Sequence, residues 1–175
     1  MVSTGGGFMV TKVLKLLCVF FLSVTVMLCG CGKNSGATLC ADFRADFTAH
    51  YKGLTLAGQI VNTRQGVESL DIDSPDTLSG LSLSYRSGEI KLNRGDAAAT
   101  ADESYLPGRS FPSLLREILA NIAAGNYSIK ENNTYSQSVS CGECVFTVDE
   151  NGLPQSIEAG KDFSVEFINL KKTGE

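Results

Sequence analysis

The chain has 175 residues, a single histidine, no tryptophan and a formal charge of −4. One histidine excludes histidine-rich metal centres and most triad chemistry. A mildly acidic balance leaves no electrostatic footprint for nucleic acid. The 145 residues beyond position 30 suit one ordinary domain with one core.

Near the N-terminus, Lys12 and Lys15 form a positive start with no acidic residue near them. Leu16 to Leu28, LLCVFFLSVTVML, is an uncharged apolar run of 13 residues. A spanning helix needs about 20 apolar residues, so this run has the length of a signal-peptide core instead. It ends in Leu28-Cys29-Gly30-Cys31, which resembles the lipobox of bacterial lipoproteins. That resemblance implies removal of residues 1–30 and a diacylglycerol on the Cys31 thiol. The mature protein is then held at the extracytoplasmic face of the cell membrane, with the lipid anchor as its membrane partner. After removal of Lys12 and Lys15, 13 basic and 19 acidic residues remain, a formal charge of −6. No polybasic segment would assist the anchor. Residues 31–39, small and polar, read as a tether holding a domain at 40–172, with 173–175 as a tail.

From Cys40 onward, period-two alternation dominates. Phe43, Ala45, Phe47, Ala49 and Tyr51 share one face. Leu54, Leu56, Gly58 and Ile60 repeat the pattern, followed by Leu70 and Ile72, then by Leu81, Leu83 and Tyr85. Ser87-Gly88 is a hairpin turn, and Ile90 and Leu92 continue beyond it. Residues 94–110 break the alternation and read as a long loop. Ser110 then stands where it can cap a helix, with Pro112 in the first turn. Phe111, Leu114, Leu115, Ile118, Leu119 and Ile122 make one apolar helical stripe, and Gly125 follows its end. Strands resume at Tyr127 to Ile129, Thr134 to Ser140 and Val145 to Val148. Asn151-Gly152 signals a hairpin, before strands near Gln155 to Glu158 and Phe163 to Phe167. The apolar phase slips by one near Phe167-Ile168, the mark of a bulge. The expected fold is mainly β (α+β): a curved antiparallel half-barrel sheet of about nine to ten strands wrapped over one main helix.

The segments DFTAHYKGLTLAGQI, DIDSPDTLSGLSLSYRSGEIKL and VFTVDENGLPQSIEAGKDFSVEFINLK carry a family resemblance over most of residues 41–172. They resemble the LolA/LolB-like outer-membrane lipoprotein carriers, and most of all the germination-type lipoproteins of spore-forming Gram-positive bacteria. That resemblance implies an apolar cavity between sheet and helix, for which Leu115, Ile118, Leu119, Ile122, Phe163 and Val165 are the candidate lining. Apolar stripes of this kind are usually plain core, and that is the leading reading of the same residues.

Cys141-Gly-Glu-Cys144 is the sharpest local motif. A thioredoxin-like pair begins a helix, whereas these flanks, SVS and VFTV, are strand-like. Export favours a disulfide instead, within the motif or from Cys40 to one of the pair. Cys40, His50, Cys141 and Cys144 make a nominal zinc set of poor spacing. Asp71, Asp73 and Asp76 lack the spacing of a calcium loop and read as turn residues. No metal, cofactor or catalytic residue is therefore expected. The functional expectation is a non-catalytic binding or scaffolding lipoprotein for an apolar ligand or a protein partner. The alternative is a thiol-disulfide redox protein using CGEC.

Overall fold

The computed structural model describes residues 39–173. The expected signal segment, Cys31 and most of the tether lie outside the described residues.

Alternation does what the sequence implies. In β1 (Phe43–Tyr51), Phe43, Ala45, Phe47 and Ala49 are buried while Arg44 and His50 are exposed on the other face. β2 (Leu54–Thr63) and β3 (Gly66–Ser74) bury Leu56, Ile60, Val67, Leu70 and Ile72 on the same side. β4 (Leu81–Arg86), β5 (Glu89–Arg94) and β6 (Ala97–Asp102) complete a meander. A 3-10 turn, Glu103–Tyr105, leads to helix α1 (Phe111–Ala124). β7 (Ser128–Glu131), β8 (Thr134–Val139), β9 (Gly142–Val148), β10 (Pro154–Ala159) and β11 (Phe163–Lys172) form a second meander.

All eleven strands belong to one antiparallel sheet in the order β6-β5-β4-β3-β2-β1-β11-β10-β9-β8-β7. β1 pairs with both β2 and β11 and so joins the two meanders. The sheet is open and curved, with β6 and β7 at its two edges. The chain leaves one edge at β6 and re-enters at the other through α1. This connection carries the helix across the concave side, where α1 packs on β3 and β8. Its six apolar residues, Phe111, Leu114, Leu115, Ile118, Leu119 and Ile122, all face the sheet.

Two sequence expectations are corrected. The strand count is eleven rather than nine or ten, because β6 lies inside the expected 94–110 loop. Ala97-Ala-Ala-Thr-Ala-Asp102 buries neither face and therefore carries no alternation; it is held by main-chain pairing to β5. Ser110 is the N-cap residue, but its hydroxyl meets that of Ser113 at 2.8 Å and caps no amide. The bulge is present slightly later than the apolar slip. Between Arg44 and Asp46 the partner strand advances from Lys171 to Ile168, one residue more than β1 does. Asn169 absorbs it in the left-handed region (φ 54), and its amide donates to the Asp46 carboxylate at 2.6 Å. Ser87 and Gly88 (φ 54 and 82) close the β4–β5 hairpin as expected, both left-handed.

Candidate functional site

The concave face is a trough with an aromatic cluster at each end of its helix. Phe111 of α1 stacks on Phe47 at 5.8 Å between ring centroids and lies 5.7 Å from Phe163. Tyr51 closes that group from the side, at 6.0 Å from Phe111. Beyond the helix C-terminus, Tyr127 stands edge-on to Tyr135 at 5.3 Å and to Phe146 at 5.7 Å. Edge-to-face geometry adds about 0.5–1.5 kcal/mol per pair beyond area burial. The expected cavity residues lie between the clusters, apart from Phe163, which belongs to the first. Leu115, Ile118, Leu119, Ile122, Phe163 and Val165 are all buried, and the structure brings all six into one packed core. None of them lines the surface clefts at Asn169, Leu106, Arg64 or Asn126.

Polar ties on both flanks hold the helix down. Arg116 pairs with Glu103 of the 3-10 turn, and its guanidinium lies 4.8 Å over the Tyr85 ring of β4. On the other flank, the Glu117 carboxylate accepts from the Ser140 amide at 2.8 Å and from its hydroxyl at 2.6 Å, in the β8–β9 turn. Adjacent helix residues thus reach opposite halves of the sheet. Below them, buried Gln137 donates to the Ile118 carbonyl at 3.2 Å. The Tyr51 hydroxyl donates to the Arg109 carbonyl and fastens the loop before the helix. A cleft of about 710 Å³ opens where Arg116, Tyr85, Glu103 and Leu106 meet. The Tyr85 hydroxyl is buried there without a hydrogen-bond partner. Burial pushes its pKa up, against the pull of the Arg116 charge.

Sequence reading did not single out Arg116 or Glu103, and it placed Tyr85 only on the apolar face of a strand. Their pairings join β4, the 3-10 turn and α1, and no local motif marks a contact of that range. The one available signal is an arginine beside an otherwise apolar helical stripe.

Cys40 and the CGEC pair lie against different turns. The Cys40 amide donates to the Gly152 carbonyl at 2.9 Å, in the β9–β10 turn. Cys144 lies four residues before Val148, the end of β9, which is about 13 Å of strand at ~3.3 Å per residue. Cys141 is further still, in the β8–β9 turn. A disulfide needs alpha carbons within about 7 Å, and none joins Cys40 to Cys141 or Cys144 among the described residues. All three are free thiols here. Cys144 is fully buried between Gln137 of β8 and Ala159 of β10, and burial pushes its thiol up to about 12. His50 is exposed near the end of β1, where its ring nitrogen meets the Thr55 hydroxyl at 3.1 Å, far from Cys40 before the strand begins. Among the described residues, no group of three or more His, Cys, Asp or Glu side chains is arranged to hold a metal. Cys31 lies outside the described residues.

No family model and no curated protein matches the chain. Among solved structures it is similar to an uncharacterized conserved protein from Thermus thermophilus. That match has 10% identity and a TM-score of 0.49, over 79% of this chain and 82% of the other. It is also similar to a LolA superfamily protein from Nitrosomonas europaea, at 6% identity and a TM-score of 0.41, over 79% and 88% of the two chains. At these identities and scores neither neighbour assigns a family or a ligand.

Proposed function

We propose that this protein is a non-catalytic, lipid-anchored binding module of the extracytoplasmic membrane face, whose trough receives an apolar chain of the acyl class beneath α1. The supporting observation is the cover. An apolar concave face is roofed by one 14-residue helix whose flanks are tied to the sheet by the polar contacts of Arg116 and Glu117. Such ties are weak at a surface, roughly 0.2–1 kcal/mol each, so the roof is held chiefly by burial of its apolar face, a contact that an apolar chain can replace. With the trough packed in the described state, an apolar ligand enters by displacing the helix.

Native mass spectrometry of the purified full chain tests this. Co-purifying lipid, or saturable binding of a fluorescent fatty acid that tightens when Glu103→Gln loosens the roof, is the expected result. Absence of binding with both the natural chain and the variant refutes it. Anchoring rests on the residue order around Leu28-Cys29-Gly30-Cys31. Cys31→Ala is expected to leave an unprocessed precursor or release the domain; unchanged mass and membrane retention would overturn that half of the proposal. The thiol-redox alternative is not favoured. A buried thiol raised to about 12 holds almost no thiolate at neutral pH, and no helix N-terminus supports it.

A further inference from the structure

We infer that the β6 edge pairs with β6 of a second copy of this chain, in antiparallel register about a two-fold axis at Thr100. This is independent of the trough and its ligand.

The two sheet edges differ. β7 has four residues, contains Lys130 and Glu131, ties Lys130 to Glu143 at 2.6 Å, and shifts register between Ile129 and Glu131. Charge, shortness and irregularity are the usual defences of an edge against pairing. β6 is less defended, its one charge being Asp102 at its end. It is six residues long, regular in its pairing with β5, and carries no lysine, proline or bulge. Ala97, Ala98, Ala99, Thr100 and Asp102 are exposed, and no described segment covers the edge.

The direction of its free groups follows from one hydrogen bond. The Glu103 amide donates to the Gly88 carbonyl at 2.9 Å, continuing the β5–β6 ladder. Hydrogen-bonded pairs in an antiparallel ladder recur every second residue. Ala101, Ala99 and Ala97 therefore turn their main-chain groups toward β5, while Ala98, Thr100 and Asp102 turn theirs outward. Only residues of the outward set can pair across a new edge. Centring the axis on Thr100 matches Thr100 with its own copy and Ala98 with Asp102 of the second copy, for about six new main-chain bonds. A shift one way opposes Asp96 to Asp102 of the second copy, two like charges. A shift the other way runs into the 3-10 turn and forfeits about two bonds. In the centred register each Asp102 faces an alanine, and the threonines form a favourable cross-strand pair. The edge thus pairs with itself through all its outward main-chain groups without opposing like charges, whereas a peptide with an acidic residue opposite Asp102 is disfavoured.

Directly opposed residues of a hydrogen-bonded pair lie about 5.5 Å apart at the alpha carbon, within disulfide range. Thr100→Cys in the full chain, purified in detergent micelles and oxidised with copper–phenanthroline, is expected to give a covalent dimer. Its yield should exceed that of Lys161→Cys, in the remote β10–β11 turn, by at least about fivefold. Equal yields overturn the inference. Thr100→Pro provides the second arm. It removes an outward N–H that β5 does not use, so the circular dichroism spectrum should persist while the dimer fraction in sedimentation velocity falls about tenfold. A dimer that survives Thr100→Pro, or a natural chain that stays monomeric at high micromolar concentration and accepts only an added strand peptide, rejects the second copy as occupant.

Discussion

Replacing Leu119 with alanine probes the joint between helix and sheet. Leu119 is 1% exposed in the middle of α1 and is flanked by Leu115, Ile118 and Ile122, none above 4%. The truncation removes about three methylene equivalents, roughly 2.4 kcal/mol of transfer free energy at ~0.8 kcal/mol each. The hole cannot close easily, because Glu117 is bound to Ser140 and Gln137 to the Ile118 carbonyl, on either side of the same turn. A residual cavity raises the loss to about 3–4 kcal/mol, inside the range seen for buried leucine truncations. Urea unfolding of a chain beginning at residue 32, followed by far-ultraviolet circular dichroism, measures it. The midpoint should fall with an unchanged slope, and the thermal midpoint should drop by about 10–15 °C. Ile129→Ala on β7, where the side chain is 46% exposed, is the control and should cost under about 1 kcal/mol. A Leu119→Ala loss below about 1 kcal/mol, or one equal to the control, would refute the packing of α1 on the concave face.

Other consequences are open to measurement. Cys144 should resist a thiol reagent at pH 8 while Cys40 and Cys141, both partly exposed, react; equal rates for all three would contradict its burial. The Cys144 thiol is raised from 9.0 to about 12. Below pH 9 both folded and unfolded chains keep the proton, and above it only the unfolded chain loses it. Stability should therefore decline from pH 9 toward 12, with Tyr85 and Tyr127 acting in the same direction, and Cys144→Ala should flatten the decline. Gly58→Ala should destabilise by more than about 3 kcal/mol or abolish folding, because its methyl group would overlap the Asp71 carbonyl on β3. Gly108→Ala, where nothing lies within 4 Å, should be tolerated. Arg116→Ala should cost about 1 kcal/mol, and it should speed proteolysis within residues 103–110, since it removes both the Glu103 pair and the Tyr85 stack. Unchanged cleavage would show that the loop is held by other contacts.

Elements with one buried face were readable from sequence. β1 and α1 announce themselves because burial imposes a period on their apolar residues: two in the strand, 3.6 in the helix. Hairpins at Ser87-Gly88 and near Asn151-Gly152 were readable because left-handed backbone selects those residue types. β6 was not, since a strand exposed on both faces has no period to show. The bulge was felt as a phase slip, but its position was decided by Asn169, which tolerates a positive φ and finds Asp46 as partner.

The sequence by itself determined the apolar residues of the core, the helix and its ends, the antiparallel character of the sheet, and the lipobox-like order before Cys31. These are local properties, set by neighbours within a few positions. Tertiary structure decided that β1 joins β11, that Arg116 reaches Tyr85 and Glu103, and that Cys40 meets the β9–β10 turn. It also decided that the six expected cavity residues are packed together. Each of these depends on how a curved sheet brings distant segments together, and pairing between remote strands leaves no mark on the residues that flank them in the chain.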